Sequence, residues 1–260
     1  MMNKRRFLFL LPVLAGLSVL YIGGLRATET LPKKLTDEQF WSIVRDFSEP
    51  NGFFRSDNLL SNELHFQAVV PELTRVAVPG RVYLGVGPEQ NFTYIAAVKP
   101  TMAFIIDIRR GNRDLQLMYK ALFELSADRA DFVSRLFGRK RPEGLGPTST
   151  AKEIFDAFAT VPQGVAIHDE NAKAIRDRLL IDHALPLSAE EVSGIESIHR
   201  AFFTHGPALN YSSTGGFGFS GMPSYADLMT AADQDGRSRG YLATEDAFLT
   251  LKELEGKNLI

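Results

Sequence analysis

The sequence predicts an α/β protein with a Rossmann-like three-layer core and a helix-rich insertion. Three observations carry this. Arg81-Val82-Tyr83-Leu84 reads as a strand that runs into the glycine turn Gly85-Val86-Gly87-Pro88. Ala103-Phe104-Ile105-Ile106 is a continuous apolar run, the pattern of a strand buried on both faces, and it ends at Asp107. Helical segments lie between the two strands and after the second, so residues 81–125 form a βαβα unit.

The elements follow in order. Thr36-Asp37-Glu38-Gln39 is a capping box, and Phe40, Ile43, Val44 and Phe47 recur behind it at helical spacing, until Pro50 and Gly52 stop the helix. Ser56-Asp57-Asn58 has the residue types that cap a second helix, running through Leu59, Leu60, Leu64 and Val69 to Pro71. After the glycine turn, Gln90 to Val98 reads as a helix with Pro88 at its start and Lys99-Pro100 at its end. A long helix begins at Gly111 or Asn112, and another covers Asp128 to Phe137. Gly138 to Pro147 is a Pro/Gly/basic connector and the best internal boundary. Helices then follow from Ser149 or Thr150 to Ala159, over Glu170 to Leu180, and from the Ser188-Ala189-Glu190-Glu191 capping box to Phe203. Residues 140–235 thus form a helix-rich part of the domain. Gly206 to Gly221 is a Gly/Ser/aromatic loop, followed by helices near Ser224 to Ala232 and Thr244 to Leu254, with Gly256 as the C-cap. An α/β pattern would open another strand at Asn258-Leu259-Ile260, so the reading expects either a frayed stub here or a domain that lacks strands of a complete doubly wound sheet at its C-terminal end.

Composition narrows the function. With 29 basic and 31 acidic residues the formal charge is −2, too balanced for the cationic surface that nucleic acid binding needs. Cysteine is absent from all 260 residues, which removes disulfides, thiolate metal sites and a cysteine nucleophile. Lys4, Arg5 and Arg6 precede an uncharged run from Phe7 to Leu25. Residues 1–30 therefore read as a cleaved export signal or a retained membrane anchor, with residues 31–260 outside the cytoplasm, periplasmic in a cell with two membranes.

The chemistry concentrates at the strand ends. Gly85 and Gly87 let a ligand approach the backbone, and the following helix start offers free N–H groups and a positive dipole end. Asp107 stands about 20 residues further on at the neighbouring strand tip, the place from which a carboxylate accepts hydrogen bonds from ribose hydroxyls. The same residues also fit a tight βα turn whose Asp107 caps the next helix. Arg109 and Arg110, just beyond, have the chemistry to pair with a phosphate or carboxylate, or to stay solvated. In the 206–221 loop, Tyr211, Ser212 and Ser213 are candidates to contact a small substrate, although the G-x-S-x-G context of a hydrolase nucleophile is lacking. His183, His199 and His205 have no compact ligand spacing, so no metal is expected, and His199 reads as a surface or cap residue. No catalytic acid, base or nucleophile is named by the pattern.

Val82-Tyr83-Leu84-Gly85-Val86-Gly87-Pro88 together with Phe104-Ile105-Ile106-Asp107 resembles the first two motifs of class I S-adenosylmethionine-dependent methyltransferases. More broadly, Asn58-Leu59-Leu60-Ser61-Asn62-Glu63, Gly85 to Phe92 and Asp107-Ile108-Arg109-Arg110 resemble an uncharacterised bacterial family of methyltransferase-like fold. The resemblance implies S-adenosylmethionine, or another nucleoside-containing small molecule, as ligand. Gly85, Gly87, Glu89, Asn91, Asp107 and Arg109 would then stand at the cofactor, with Asn58 and Asn62 at its mouth. The sequence departs from the enzyme motif at Tyr83, where an acid is usual, and at Glu89, where a third glycine is usual. A translocated domain would also not normally meet S-adenosylmethionine. The two expectations that follow are a methyltransferase-like cofactor domain and a non-catalytic binding or scaffold protein with a degenerate site.

Overall fold

The structure, a computed structural model, describes residues 30–260 apart from Arg55, Ser212 and residues 215–220. The apolar run Phe7 to Leu25 and the candidate Ser212 lie outside the described residues. Among those described, no helix is long and apolar enough to cross a membrane. Lys33–Ile260 form one compact unit.

Helix α1 (Asp37–Asp46) opens on the expected capping box: Thr36 Oγ1 accepts the Gln39 N–H at 3.2 Å, and Gln39 Oε1 accepts the Thr36 N–H at 3.0 Å. The helix expected from Asn58 does not form. Residues 57–63 are irregular, and helix resumes only as a 3-10 turn (Phe66–Val69) leading into α2 (Val70–Val76). Small polar side chains here outbid the helix for backbone groups. Ser56 Oγ accepts the Asn58 N–H, Ser61 Oγ accepts the Glu63 N–H, and the Glu89 carboxylate takes the Ser61 N–H. Asn58 itself sits at φ 48°, a left-handed conformation that asparagine tolerates.

Strand β1 (Val82–Val86), helix α3 (Gln90–Val98) and strand β2 (Met102–Ile106) form the expected parallel crossover, in register from Val82↔Met102 to Val86↔Ile106. The Gly87 N–H donates to Ile106 O at 3.0 Å, so the glycine turn leaves the sheet where the pairing ends. Ala103 N–H donates to Leu259 O at 2.8 Å, which brings the C-terminal residues alongside β2. The fold is thus α/β and helix-rich around a two-stranded parallel sheet. One face of the sheet is not covered over its whole length: Leu84, Val86 and Ile106 are 72%, 68% and 58% exposed, whereas Phe104 on that face meets Phe47 at 6.0 Å between ring centroids.

The remaining helices are α4 (Arg110–Leu125), α5 (Arg129–Phe137), α6 (Ala151–Ala159), α7 (Val165–Asp177), α8 (Ala189–His205), α9 (Tyr225–Thr230) and α10 (Glu245–Gly256). Helix α7 starts earlier than its apolar spacing suggests and runs on as a π-helical turn, Arg178–Asp182. Thr150 and Ser188 cap α6 and α8 through capping boxes with Glu153 and Glu191. Gly256 is not the left-handed cap of α10. Asn258, at φ 59°, takes that place, with its N–H on Glu255 O and the Leu259 N–H on Leu254 O, both at 2.9 Å. Its amide has a further use, donating to Leu35 O at 3.2 Å and to Asp37 Oδ1 at 2.8 Å, which a glycine could not do.

The core is aromatic. Phe92 on α3 packs edge-on against Tyr119 and Phe123 of α4, both at 5.2 Å, and against Tyr241 at 5.4 Å. A second tie is ionic: His183 bridges Asp37 Oδ1 and Glu124 Oε2, each at 2.7 Å, joining the start of α1 to α4. A ring that donates to two carboxylates carries both protons, and the Glu124 bond raises the His183 pKa above its ordinary value. The connector 138–147 is not loose, because Arg129, 1% exposed, reaches into it. Its guanidinium donates to Leu242 O, Ala243 O, Pro147 O and Ser149 O at 2.7–2.9 Å and to Glu245 Oε2 at 3.0 Å. Replacing it by methionine strands these carbonyls without a donor. Arg129→Met is expected to cost about 3–5 kcal/mol, read as a lower urea midpoint at unchanged m-value.

Candidate functional site

The glycine turn is held from inside. Asn91, in the first turn of α3, donates its Nδ2 to Val86 O at 3.1 Å, Gly87 O at 3.3 Å and Pro88 O at 2.8 Å, while its Oδ1 accepts the Tyr83 hydroxyl at 2.7 Å. This explains Gly85. A Cβ there would collide with Asn91 Oδ1 and stand 2.8 Å from Tyr83 Oη, so the first glycine lets strand and helix close on each other. Gly87 has a different role. At φ +88° it needs to be glycine for the turn itself, since a Cβ would meet no more than Asn58 Nδ2, at 3.9 Å.

Glu89 follows directly and points inward rather than at a ligand. It is fully buried at the N-cap of α3, where both carboxylate oxygens accept the Ser61 N–H, at 3.1 and 3.0 Å. The helix start that usually attracts a ligand anion therefore holds a side chain of the protein itself. Burial pushes the Glu89 carboxyl up to about 7, and the bond from Ser61 offsets part of that rise. Its charge also bears on the buried hydroxyls of Tyr119, Tyr225 and Tyr241, of which the last two are hydrogen-bonded to each other. The turn is thus tied through the core to α9 and to the segment before α10.

The second strand tip is more open to chemistry. Asp107 Oδ1 accepts the Arg109 N–H at 2.9 Å, so Asp107 does help to cap α4, and the Arg109 Nε lies 3.8 Å from the same oxygen. Asn51 Oδ1 takes the Arg110 N–H at 2.8 Å. Asn58, Gly87, Asp107 and Arg109 stand at the C-terminal end of the strand pair, where an α/β sheet presents its ligand site. Ser56 Oγ donates to Tyr211 O at 3.3 Å, which brings the 206–221 loop to the strap that carries Asn58. Asn62 is exposed.

Of the residues singled out in the sequence, Gly85, Glu89 and Asn91 turn out to build the turn from within, whereas Gly87, Asp107, Arg109 and Asn58 stand at the C-terminal ends of the two strands. His199 is corrected. It is 1% exposed on the inward face of α8, with Nε2 donating to Arg135 O at 3.0 Å, and burial lowers it to about 4. Sequence reading missed Ser61 and Tyr83 as supports, and Asn112 and Gln116 on α4. The signal for the last two was available: polar residues at 109, 112 and 116 keep a helical spacing along an otherwise apolar helix face.

The buried Glu89 has a measurable consequence. Its folded-state pKa lies above the unfolded carboxyl value, so its contribution to stability is complete below about pH 4.5 and is lost as pH rises through about 7. Glu89→Gln keeps an acceptor for Ser61 and carries no titrating proton. Comparison of the two proteins by urea unfolding is expected to shift in favour of Glu89→Gln from about pH 5 to about pH 7, at up to ~1.4 kcal/mol per pH unit, and then to level off.

Residues 59–145, which include both strands, the glycine turn and all of α4, are similar to a family described as a domain of unknown function (DUF7790). None of the curated proteins matches the chain.

Proposed function

We propose that this chain is a membrane-tethered or exported ligand-binding domain, Rossmann-like and resembling class I methyltransferases, that holds a nucleoside-containing small molecule at the ends of β1 and β2. S-adenosylmethionine is the first candidate. The observation that carries the reading is Asp107: its Oδ1 is engaged by Arg109, and it stands at a parallel strand tip beside the left-handed Gly87, the arrangement that receives ribose hydroxyls. Asn58 and Tyr211 lie on the segments that border this space. The residues around the turn are binding groups, and no step of methyl transfer is assigned to any of them.

One observation favours the second reading, a scaffold whose cofactor site has degenerated. Glu89 occupies the helix start with its own carboxyl, and Asn91 takes up the carbonyls of the turn. Calorimetric titration of the full chain in mild detergent with S-adenosylmethionine, its demethylated product and NAD separates the two. The binding reading expects micromolar affinity for an adenosyl ligand and a loss of about 1–3 kcal/mol in Asp107→Ala. A folded wild-type chain that binds none of the three would leave the scaffold.

A further inference from the structure

Helix α4 carries an unusual first turn. The positive end of a helix dipole favours acidic residues, yet α4 begins Arg109, Arg110 and has no acid in its first turn. Arg113, one turn on, is paired with Asp114 and Glu191, at 3.0 and 2.6 Å. Arg109 is not paired in that way. Its Nε and Nη2 are shut off from solvent and donate to no described residue, and the nearest carboxylate oxygen, Asp107 Oδ1, lies 3.8 Å from Nε, beyond hydrogen-bond reach. These two nitrogens form one edge of the guanidinium, and their parallel N–H bonds match the paired oxygens of a carboxylate or phosphate.

The buried Asn112 and the half-buried Gln116, whose amide atoms are covered, continue the row. Asn112, 2% exposed, leaves its Oδ1 without a donor, and Gln116 leaves both its Oε1 and Nε2 without partners. Positions 109, 112 and 116 share one helix face over about 10 Å, at ~1.5 Å per residue. Buried polar groups of folded proteins are nearly always satisfied, so a guanidinium edge without an acceptor, followed by the unsatisfied Asn112 Oδ1 and Gln116 amide, marks a place for a polar ligand. The charge requirement is fixed by Arg109 and by the helix start. At α3 the helix start is filled by Glu89, and at α4 the Arg109 and Arg110 N–H groups are taken by Asp107 and Asn51, so the seat left for an anion is the Nε–Nη2 edge of Arg109.

We infer that the ligand of the strand-end site is a ribose-phosphorylated nucleotide, its phosphate gripped side-on by Arg109 and its neighbouring polar groups set against Asn112 and Gln116. This rests on the proposed nucleoside reading, because Asp107, two residues before Arg109, is the group assigned to the ribose. A phosphate on that ribose falls next to the guanidinium. Rotation of the long Arg109 side chain brings its N–H edge to the incoming group.

The test uses the full chain in mild detergent and four probes: adenosine, adenosine 2′-phosphate, adenosine 3′-phosphate and inorganic phosphate. One of the two phosphorylated nucleosides is expected to bind about tenfold or more tightly than adenosine, and Arg109→Lys, which keeps the charge but not the paired donors, is expected to erase that gap. Gln116→Met gives a second readout. It removes an unsatisfied buried amide, so the unliganded protein should melt at a higher temperature while its phosphate preference falls. Equal binding of adenosine and both phosphorylated forms, or an undiminished gap in Arg109→Lys, would overturn the inference while leaving the nucleoside reading in place. If no nucleoside binds, thermal stabilisation by millimolar inorganic phosphate over chloride of equal ionic strength, lost in Arg109→Lys, would keep the anion seat and end the nucleoside reading. No response to any phosphate would overturn the inference.

Discussion

The side chain of Asn91 is the contact on which the strand-end region depends. One amide reaches three successive carbonyls of the glycine turn, and its oxygen receives the hydroxyl of Tyr83 from the strand that feeds the turn. Strand, turn and helix are locked by one residue, and the lock requires that position 85 have no side chain. The carbonyls of the turn, that of the buried Gly87 among them, are satisfied from within, and the Gly87 N–H is taken by Ile106 O. The aromatic packing of Phe92, the next residue of α3, anchors this unit to α4 and so to the rest of the core.

That arrangement sets the electrostatics. A helix start beside a glycine turn is ordinarily the positive end offered to a ligand. Here Glu89 is drawn into it and buried, held by Ser61 from the irregular strap that carries Asn58. The strap cannot be helical while it serves this carboxyl and caps itself through Ser56 and Ser61. Each helix start has a carboxylate of the protein, Glu89 at α3 and Asp107 at α4, and what sets α4 apart is Arg109, whose Nε and Nη2 have no acceptor within hydrogen-bond reach. On the nucleoside reading proposed above, ribose hydroxyls would meet Asp107, with the negative group beyond them.

Much of the fold was legible because its signals are local. The capping boxes at Thr36, Thr150 and Ser188, the apolar run 103–106 and the Pro88 helix start each specify their element within a few residues, and the helices and parallel strands follow them. What was not legible depends on partners distant in sequence. Ser56-Asp57-Asn58 carries a helix-capping composition, but Ser61 is claimed by Glu89, 28 residues away, and no local pattern shows that. Gly256 reads as a helix end by composition, yet Asn258 wins because its amide can also reach Leu35 and Asp37 across the molecule. At the site, the spacing of Gly85, Gly87 and Asp107 picked out two strand ends that the structure places side by side. It could not tell which polar residues face inward, and so it grouped Glu89 and Asn91 with the ligand groups. His199 was misread for the same reason, since a lone histidine on a helix does not announce its packing against α5.

The most direct measurement is hydrogen–deuterium exchange of the full chain, read by mass spectrometry, with and without adenosine 2′- or 3′-phosphate and S-adenosylmethionine. Slowed exchange in the peptides covering 56–63, 85–92 and 107–116 together, with little change over the 165–182 helix, is the result predicted for a nucleoside ligand seated across the two strand ends. Unchanged exchange in all three segments with every ligand, or protection confined to a distant helix, would contradict it.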